Sequence, residues 1–167
     1  MTILETDRLR LSQLSVDDAP FILDLLNTPP WLAYIGDRGV KTLDDARNYL
    51  LNGPIASYER FGFGLYLVTL NGTDEPIGLC GLLQRETLDN PDIGFAFLPD
   101  YMGKGYGFEA AAAVMTYART TLGLDRIVAI TVTNNENSIN LLKKLGFRYD
   151  KLIALVPGSE ELMLFVS

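Results

Sequence analysis

The stretch Met102-Gly103-Lys104-Gly105-Tyr106-Gly107 lies between a short apolar run, Ile93 to Leu98, and a helix-forming run that begins with Phe108-Glu109 and four alanines. This order predicts a strand, a glycine-rich turn and the first turn of a helix. The backbone N–H groups of a first helical turn have no partner inside the helix, and they lie at the positive end of the helix dipole. Glycines there let an anion approach the main chain without a Cβ in the way. The stretch therefore predicts a site for the pyrophosphate of a nucleotide-like cofactor.

The length and composition are those of one soluble domain, spanning residues 1–167. Apolar residues make up 48% of the chain and charged residues 21%, which is ordinary for a globular protein. No apolar run reaches the roughly 18 residues of a membrane span, and Met1 to Arg8 lacks the basic and apolar segments of an export signal. We therefore expect a cytoplasmic protein without a membrane partner. The single cysteine, Cys80, excludes an internal disulfide and a thiolate metal cluster.

The chain contains no histidine, which removes the commonest general base near neutral pH and the commonest metal ligand. Ser-His-Asp and Cys-His catalysis are excluded, so any proton transfer must use a carboxylate, a tyrosine, the backbone or water. We expect no metal. The net charge of −7 argues against general nucleic-acid binding, which needs a basic surface. The same charge modestly favours cationic partners, although solubility alone also explains an acidic surface.

The hydrophobic pattern and the turn residues predict the element order β-α-α-β-β-β-α-β-α-β-β. The predicted strands are Leu4 to Leu14, Phe63 to Leu70, Pro76 to Leu83, Asp92 to Leu98, Ile127 to Val132, Phe147 to Val156 and Leu162 to Val166. The predicted helices run from the N-cap Ser15 to the Pro29-Pro30 pair, from Thr42 to about Leu51, from Gly105 to Leu122 and from Asn135 to Leu145. Trp31 to Val40 is predicted as a loop, whose aromatic residues are either a lid over a substrate or plugs of the core.

The strands from Phe63 to Leu70 and from Pro76 to Leu83 are apolar on both faces, so we expect them in the centre of a sheet that is covered on two sides. The element order predicts an α/β or α+β layered domain, with a mixed sheet and helices on both faces.

The glycine spacing fits two common nucleotide motifs poorly. A P-loop requires G-x-x-x-x-G-K-[ST], but Lys104 is followed by Gly105. A dinucleotide-binding fingerprint requires G-x-G-x-x-G and an acid about 20 residues later. Here Phe108 occupies the third glycine position and Asp125 lies in a turn. A flexible glycine turn without a ligand is a further alternative.

Three segments resemble the GNAT N-acetyltransferases. Pro91 to Ala110, PDIGFAFLPDYMGKGYGFEA, resembles the acetyl-CoA-binding motif of that superfamily. Asn134 to Phe147, NNENSINLLKKLGF, resembles its asparagine-to-Gly-Phe segment. Glu5 to Leu11, ETDRLRL, resembles the branch that acetylates the N-termini of ribosomal proteins. The predicted element order is similar to the GNAT fold, so the resemblance covers essentially the whole chain and implies a mixed, mostly antiparallel central sheet with helices on both faces.

The resemblance implies that acetyl-CoA is the cosubstrate and that the strand before the glycine loop diverges from its neighbour. The exposed backbone of Phe95, Ala96 and Phe97 would then pair with the pantetheine arm, and an amide at this strand end would polarise the thioester carbonyl. The main chain of the glycine loop would hold the pyrophosphate; the loop comprises Met102, Gly103, Lys104, Gly105, Tyr106, Gly107 and Phe108. Asn135 matches the family asparagine near the cofactor arm, and Ser138 falls where some members carry a serine near the thiol.

The chain departs from the family pattern at three positions. Met102 replaces the usual Arg or Gln at the first position of the glycine motif, which leaves phosphate binding to backbone donors. Leu142 occupies the position of a tyrosine that often serves as the acid. Ile130 occupies the position of an acidic base that some members carry. The familiar acid and base are therefore both absent.

The remaining catalytic candidates are Asp92 and Ser138. Asp92 begins the cofactor strand and matches an acidic position common in this branch, although a solvated aspartate at a strand end is the alternative. Ser138 would donate a hydrogen bond to the leaving thiol, or it only caps or packs the last helix. Asn135 is likewise a cofactor ligand or only an N-cap. Glu109, in the first turn of the phosphate helix, is interpreted as structural.

The function implied is transfer of an acetyl group from acetyl-CoA to a primary amine by direct attack on the thioester. Without the usual base, an α-amine is favoured over a lysine-like amine because it is more easily deprotonated. The acceptor stays open among a protein N-terminus, a polyamine, an amino acid and an antibiotic amine. The alternatives are a catalytically silent CoA-binding or regulatory module and a P-loop nucleotide-binding protein. A homodimer through the apolar closing strands is also left open.

Overall fold

The two runs that were predicted as central strands, and that are apolar on both faces, lie in the middle of an eight-stranded sheet. The computed structural model describes residues 1–167. Its strands are β1 Thr2–Glu5, β2 Leu9–Gln13, β3 Leu65–Leu70, β4 Pro76–Leu83, β5 Asp92–Phe97, β6 Val128–Thr131, β7 Arg148–Ile153 and β8 Leu162–Val166. Their order across the sheet is β1-β2-β3-β4-β5-β6-β8-β7, and every neighbouring pair is antiparallel except β5 and β6. The predicted mixed, mostly antiparallel sheet is confirmed.

Six α-helices cover both faces of this sheet. They are α1 Ala19–Leu25, α2 Pro29–Tyr34, α3 Leu43–Leu50, α4 Ala56–Phe61, α5 Tyr106–Thr120 and α6 Glu136–Lys144. Ile22 of α1 and Leu50 of α3 pack in one apolar core with Leu79 of the sheet. Val114 of α5 packs in a second core with Ile77. Side chains of β4 thus enter both cores, so the sheet is buried on both sides. None of the helices combines the length and the apolar character needed to cross a membrane.

The parallel strands β5 and β6 pair only at their beginning. Asp92 is opposite Val128, and the Val128 N–H donates to the Pro91 carbonyl oxygen at 3.0 Å. No further residue pair joins the two strands, so they diverge from this point and open the sheet toward their carboxyl ends. Two strands that diverge leave backbone donors and acceptors without a sheet partner, which is a costly arrangement unless another molecule pairs with them.

The N-terminal strand prediction was wrong in one respect. Instead of one strand from Leu4 to Leu14, the chain forms the antiparallel pair β1 and β2. A tight turn joins them, in which the Thr6 N–H donates to the Leu9 carbonyl oxygen at 2.8 Å and the Thr6 hydroxyl accepts from the Leu9 N–H at 3.0 Å. Threonine competes for local backbone groups in this way, so an apparently continuous strand pattern contains a reversal.

The prediction that Trp31 to Val40 is a loop was wrong in its first part. Pro29 and Pro30 occupy the first two positions of α2, which runs to Tyr34. Proline is tolerated at the start of a helix, because its missing N–H group would have no helical partner there. The two prolines therefore separate α1 from a new helix rather than only ending α1.

The predicted end of the second helix near Leu51 agrees with α3, which ends at Leu50, but the helical turns that follow it were not predicted. The chain does not break at Asn52-Gly53-Pro54 but continues through one π-helical turn, Leu51–Ile55, into α4. A wider turn accommodates a proline that cannot donate a hydrogen bond. The helical segment ends at Gly62, which adopts a left-handed conformation with φ +79°.

Candidate active site

A cleft of about 850 Å³ occupies the gap between β5 and β6. Residues of α5 and α6 line one end, and residues from α2, α3 and α4 line the other. Helices α5 and α6 pack into one core, whereas α2 and α3 pack into the other core on the opposite face of the sheet, so the cleft connects the two faces. Two reactants can therefore enter from opposite sides and meet at the divergence of the strands.

One edge of β5 faces this cleft with unpaired backbone groups. The Leu98 N–H donates to Ile77 of β4 at 2.9 Å, whereas the Pro91 carbonyl oxygen points at β6. Because successive residues of a strand turn their backbone groups to opposite sides, the N–H and C=O groups of Phe95 and Phe97 face the gap and those of Ala96 face β4. All three residues line the cleft, but only the two phenylalanines present a free edge there.

The glycine loop presents six consecutive N–H groups, from Gly103 to Phe108, that donate to no protein acceptor. Gly105 is the N-cap of α5 with φ +84°, and Gly103 has φ +75°. Both are left-handed conformations that residues with a Cβ adopt rarely, and they turn the loop amides outward. The predicted strand, turn and helix are thus present, and α5 contributes the positive end of a 15-residue helix dipole.

Close packing explains the third glycine of the loop, Gly107. A Cβ on Gly107 would come within 2.9 Å of Leu141 Cδ1 on α6 and 3.6 Å of the Phe97 ring. Gly107 therefore lets α5 approach α6 and the end of β5. This close approach sets the width of the cofactor end of the cleft.

The side chains of the loop have varied positions. Met102 and Phe108 line the cleft, and 39% of Met102 is exposed. The side chains of Lys104 and Tyr106 do not line the cleft. The Lys104 ammonium lies 5.9 Å from the centre of the Tyr101 ring. The loop thus offers main-chain amides and apolar side chains, as Met102 in place of a polar residue led us to expect.

A clamp between the N-terminus and α5, which we did not predict, fixes the loop from behind. Arg8 Nε donates to Glu109 Oε1 at 2.7 Å, and the Arg8 N–H donates to Oε2 at 3.0 Å. The Thr6 hydroxyl donates to the same carboxylate, and Arg8 Nη1 donates to the Lys104 carbonyl oxygen at 3.1 Å. The Arg8 guanidinium also lies 4.4 Å from the centre of the Tyr106 ring. The resemblance of Glu5 to Leu11 to a family segment marked this stretch in the sequence, but only the fold shows what the stretch contacts.

The Glu109 carboxylate is held in its ionised form. Partial burial would raise its pKa, but hydrogen bonds from Thr6 and Arg8 outweigh this effect and hold the pKa below its usual range. An acid in the first turn also complements the helix dipole. This agrees with the interpretation of Glu109 as structural.

Asn135 and Ser138 lie together at the start of α6. Asn135 is the N-cap, and its side-chain oxygen accepts from the Ser138 N–H at 3.3 Å. Both residues line the cleft, and the Ser138 hydroxyl makes no hydrogen bond to protein. Capping is therefore a role of Asn135, while the Ser138 hydroxyl and the Asn135 amide nitrogen are free to meet a ligand.

The two positions at which the family's acid and base are replaced by apolar residues have apolar surroundings. Leu142 is 1% exposed and belongs to the core below α6. Ile130 lines the cleft on β6. Neither position supplies a proton donor or acceptor.

Asp92 is the one carboxylate among the residues that line the cleft, and it lies where β5 and β6 meet. Only 1% of it is exposed, and its Oδ1 accepts from Arg85 Nε at 3.1 Å. Burial raises the pKa of Asp92 to about 6, although the adjacent Arg85 guanidinium opposes this change. The structure thus excludes the alternative of a solvated aspartate at a strand end. A carboxylate with a pKa near neutrality is suited to accept a proton.

The opposite end of the cleft has an aromatic wall. Trp31 is 5% exposed and its indole N–H donates to the Gly36 carbonyl oxygen at 3.1 Å, so it is a plug of the core. Tyr34 and Ile35 are more than a third exposed and border the cleft. The aromatic segment therefore contains both a core plug and residues at the cleft mouth.

Comparison with known proteins gives a consistent family match. The acetyltransferase (GNAT) domain matches residues 8–148 of this chain. The N-acetyltransferase YoaA of Bacillus subtilis is 30% identical over 154 residues, which are 90% of this chain and 85% of YoaA. An acetyltransferase from Agrobacterium tumefaciens has a similar structure, with a TM-score of 0.84, 26% identity, and coverage of 100% of this chain and 94% of that one.

A ribosomal L7/L12 alpha-N-protein acetyltransferase, RimL, solved in complex with coenzyme A, has a TM-score of 0.83. The alignment covers 100% of this chain and 97% of RimL at 19% identity. Similarity at this level concerns the fold alone.

Proposed function

This chain belongs to the GNAT acetyltransferase family and is an acetyl-CoA-dependent N-acetyltransferase, and from this premise we propose that it acetylates a primary amine by direct attack on the thioester. One observation carries the proposal: the cleft between β5 and β6 joins the free amides of the glycine loop to a buried carboxylate with a raised pKa. The cosubstrate enters at the α5 and α6 end, and the amine enters at the α2 to α4 end.

The residues at the cofactor end fit coenzyme A. The N–H groups from Gly103 to Phe108 have no protein acceptor, which suits a pyrophosphate at the start of α5. The unpaired groups of Phe95 and Phe97 suit the amides of a pantetheine arm, which would continue the sheet. Asn135 has a free amide nitrogen on the facing side of the cleft. RimL, a protein with the same fold, was solved with coenzyme A, which supports coenzyme A as the ligand.

Acetyl-CoA supplies the acyl group. The amine nitrogen bonds to the carbonyl carbon, and the carbon–sulfur bond breaks. The thiolate leaves readily because the pKa of its thiol is only about 8.5. Asp92 accepts the proton that the amine releases. Since 1% of Asp92 is exposed, the proton comes from an amine directly at the meeting point of β5 and β6, or through one water there. The Ser138 hydroxyl donates a hydrogen bond to the departing sulfur. The free N–H at the end of β5 polarises the carbonyl oxygen.

This site favours a weakly basic amine. Deprotonating an α-amine with a pKa of about 8 at pH 7 costs about 1–1.5 kcal/mol, whereas a lysine-like amine with a pKa of about 10.4 costs about 4–5 kcal/mol. A single carboxylate with a pKa of about 6 is a modest base. The apolar Leu142 and Ile130 offer no additional acid or base, so an acceptor amine less basic than that of lysine is favoured.

The same two apolar residues support a second candidate, a CoA-binding module without catalytic activity. Incubation with acetyl-CoA and a panel of α-amines, polyamines and peptide N-termini distinguishes the two, with free thiol and acetylated product as the readouts. Transfer to any amine, lost in Asp92→Asn, is the expected result. Binding of acetyl-CoA with no transfer to any member of the panel would favour the silent module.

Substitution of Gly105 tests the location of the pyrophosphate. Gly105→Asp places a carboxylate among the loop amides, so charge repulsion should weaken coenzyme A binding at least about 100-fold, measured by calorimetry. Gly123→Asp is the matched control, since Gly123 has φ +68°, no atom near its Cβ position, and lies beyond the other end of α5. Both variants carry similar backbone strain. Equal affinities for coenzyme A would contradict the placement.

A further inference from the structure

The charge of the cleft is opposite to that of the whole chain. The protein has 21 acidic and 14 basic side chains, yet the charged residues lining the cleft are Arg38, Arg60, Arg85, Lys144 and a single acid, Asp92. Lys144 belongs to α6 at the cofactor end, where its ammonium lies 4.4 Å from the centre of the Phe108 ring. The three arginines line the acceptor end.

These arginines come from three separate parts of the chain. Arg38 follows α2, Arg60 belongs to α4, and Arg85 lies in the loop between β4 and β5. Tyr49 of α3 lies near two of them: burial raises its pKa, and the charges of Arg38 and Arg85 oppose this change because both lie near its hydroxyl. Arg38 and Arg85 thus lie around one tyrosine, and Arg60 of α4 lines the same cleft.

The arginines retain unused hydrogen-bonding capacity. Arg38 and Arg60 form none of the protein's ion pairs. Arg85 uses only Nε toward Asp92, so both terminal nitrogens of its guanidinium have no protein acceptor. The paired terminal N–H groups of a guanidinium match the two oxygens of a carboxylate.

We propose that the acceptor is a small amine of the amino-acid type, and that Arg38, Arg60 and the free nitrogens of Arg85 bind its carboxylate. The inference rests on the proposed function and specifies its substrate. Arg85 donates to Asp92, so a carboxylate bound by Arg85 lies next to an amine that Asp92 deprotonates. One carbon separates these two groups in an α-amino acid. In a protein N-terminus the same carbon carries an uncharged amide, and a polyamine would bring further positive charge toward the arginines.

A matched series of acceptors tests the proposal. We would measure kcat and KM for α-amino acids, for their primary amides, for spermidine, and for short peptides with an acidic or an amide side chain at the second position. The acids should have values of kcat/KM at least tenfold above their amides. The free carboxylate makes the neighbouring amine a stronger base and so lowers its neutral fraction, and reactivity alone would therefore give the opposite order. A preference for amides, spermidine or peptides would overturn the proposal.

Three variants assign the effect to the arginines. Arg38→Gln and Arg60→Gln should raise KM for the acids roughly 5- to 50-fold and leave KM for the amides and the affinity for coenzyme A unchanged. Arg119→Gln removes the same charge from an exposed position of α5 outside the cleft and controls for net charge. Equal effects on acids and amides, or weaker coenzyme A binding, would overturn the assignment.

The outcomes separate this inference from the proposed function. Acetylation of amines without a preference for carboxylates refutes the inference alone. If no amine is acetylated, the proposed function fails, and calorimetry of the amino acids against the protein with coenzyme A then decides the inference. Binding that Arg38→Gln weakens supports it, and no binding of any amino acid refutes it.

Discussion

Replacing Asp92 with Asn is expected to make the protein more stable above pH 7 and less active. Burial raises the pKa of Asp92 in the folded protein to about 6 from an ordinary value of 3.8. At higher pH the folded state therefore contains a charge that its surroundings disfavour, whereas the unfolded chain leaves that charge in water. A difference of about 2 pKa units corresponds to about 3 kcal/mol of lost stability. Asn has nearly the same shape and no charge, so the variant avoids this loss.

The sign follows from the protons that each state binds. Between pH 3.8 and about 6 the unfolded chain has released the Asp92 proton while the folded protein still holds it. The contribution of this group to stability falls as pH rises through that window and stays low above it. The gain from Asp92→Asn should therefore be full at pH 8 and close to zero below about pH 4. Arg85 keeps an acceptor for its Nε in either protein, because the side-chain oxygen of Asn replaces that of Asp.

Thermal and urea unfolding between pH 4 and pH 8 measure this effect. For a chain of this size the melting temperature should rise by about 2–4 °C per kcal/mol of stability. Asp150→Asn is the control, since Asp150 lies exposed on the edge strand β7 and forms no ion pair. It should leave both stability and activity unchanged.

The same variant should lose activity. Removal of a general base lowers kcat/KM by about 10²–10⁴-fold. The acidic limb of the pH profile, expected near pH 6 in the natural protein, should disappear. A variant that is no more stable than the natural protein at pH 8, or that retains the acidic limb, would refute our account of Asp92.

Further predictions concern the clamp and the start of α6. Glu109→Gln should lower the free energy of unfolding at pH 7 by about 0.5–1.5 kcal/mol and weaken coenzyme A binding several-fold, because the half-exposed Arg8 loses its anionic partner; unchanged affinity would show that the clamp does not position the loop. Ser138→Ala should lower kcat about 3- to 10-fold with no change in melting temperature, since its hydroxyl has no protein partner, whereas a large loss of stability would assign it a structural role. Asn135→Ala should cost about 1 kcal/mol of stability through loss of the cap, and a neutral effect would contradict that role.

The sequence predicted the cofactor end better than the acceptor end. The strand, the glycine loop and the start of α5 are neighbours in the chain, so spacing and composition were enough to predict them. The diverging edge at Phe95 and Phe97 was implied by the resemblance, and the single residue pair between β5 and β6 agrees with it. The convergence of Arg38, Arg60 and Arg85 gives no local pattern and was not predicted.

The errors in the element predictions have a common cause. Thr6, Pro29 and Pro54 were interpreted by their average tendencies, as a strand residue and as helix breakers. Each acts differently in its place: Thr6 closes a turn, Pro29 begins α2, and Pro54 lies within a π-helical turn. Tertiary packing of the flanking segments selects among conformations whose intrinsic energies are close.

The amino-acid order alone determined the glycine loop, the central strands and the family, because these depend on spacing over short distances along the chain. The tertiary structure alone decided that Arg8 pairs with Glu109 across 101 positions, and that Asp92 is buried beside Arg85. A carboxylate pKa depends on the water and charges around it, and that environment is assembled by segments distant in the chain. No local pattern specifies it, so the sequence left Asp92 as either a candidate base or a solvated aspartate, and only the folded sheet shows that it is buried.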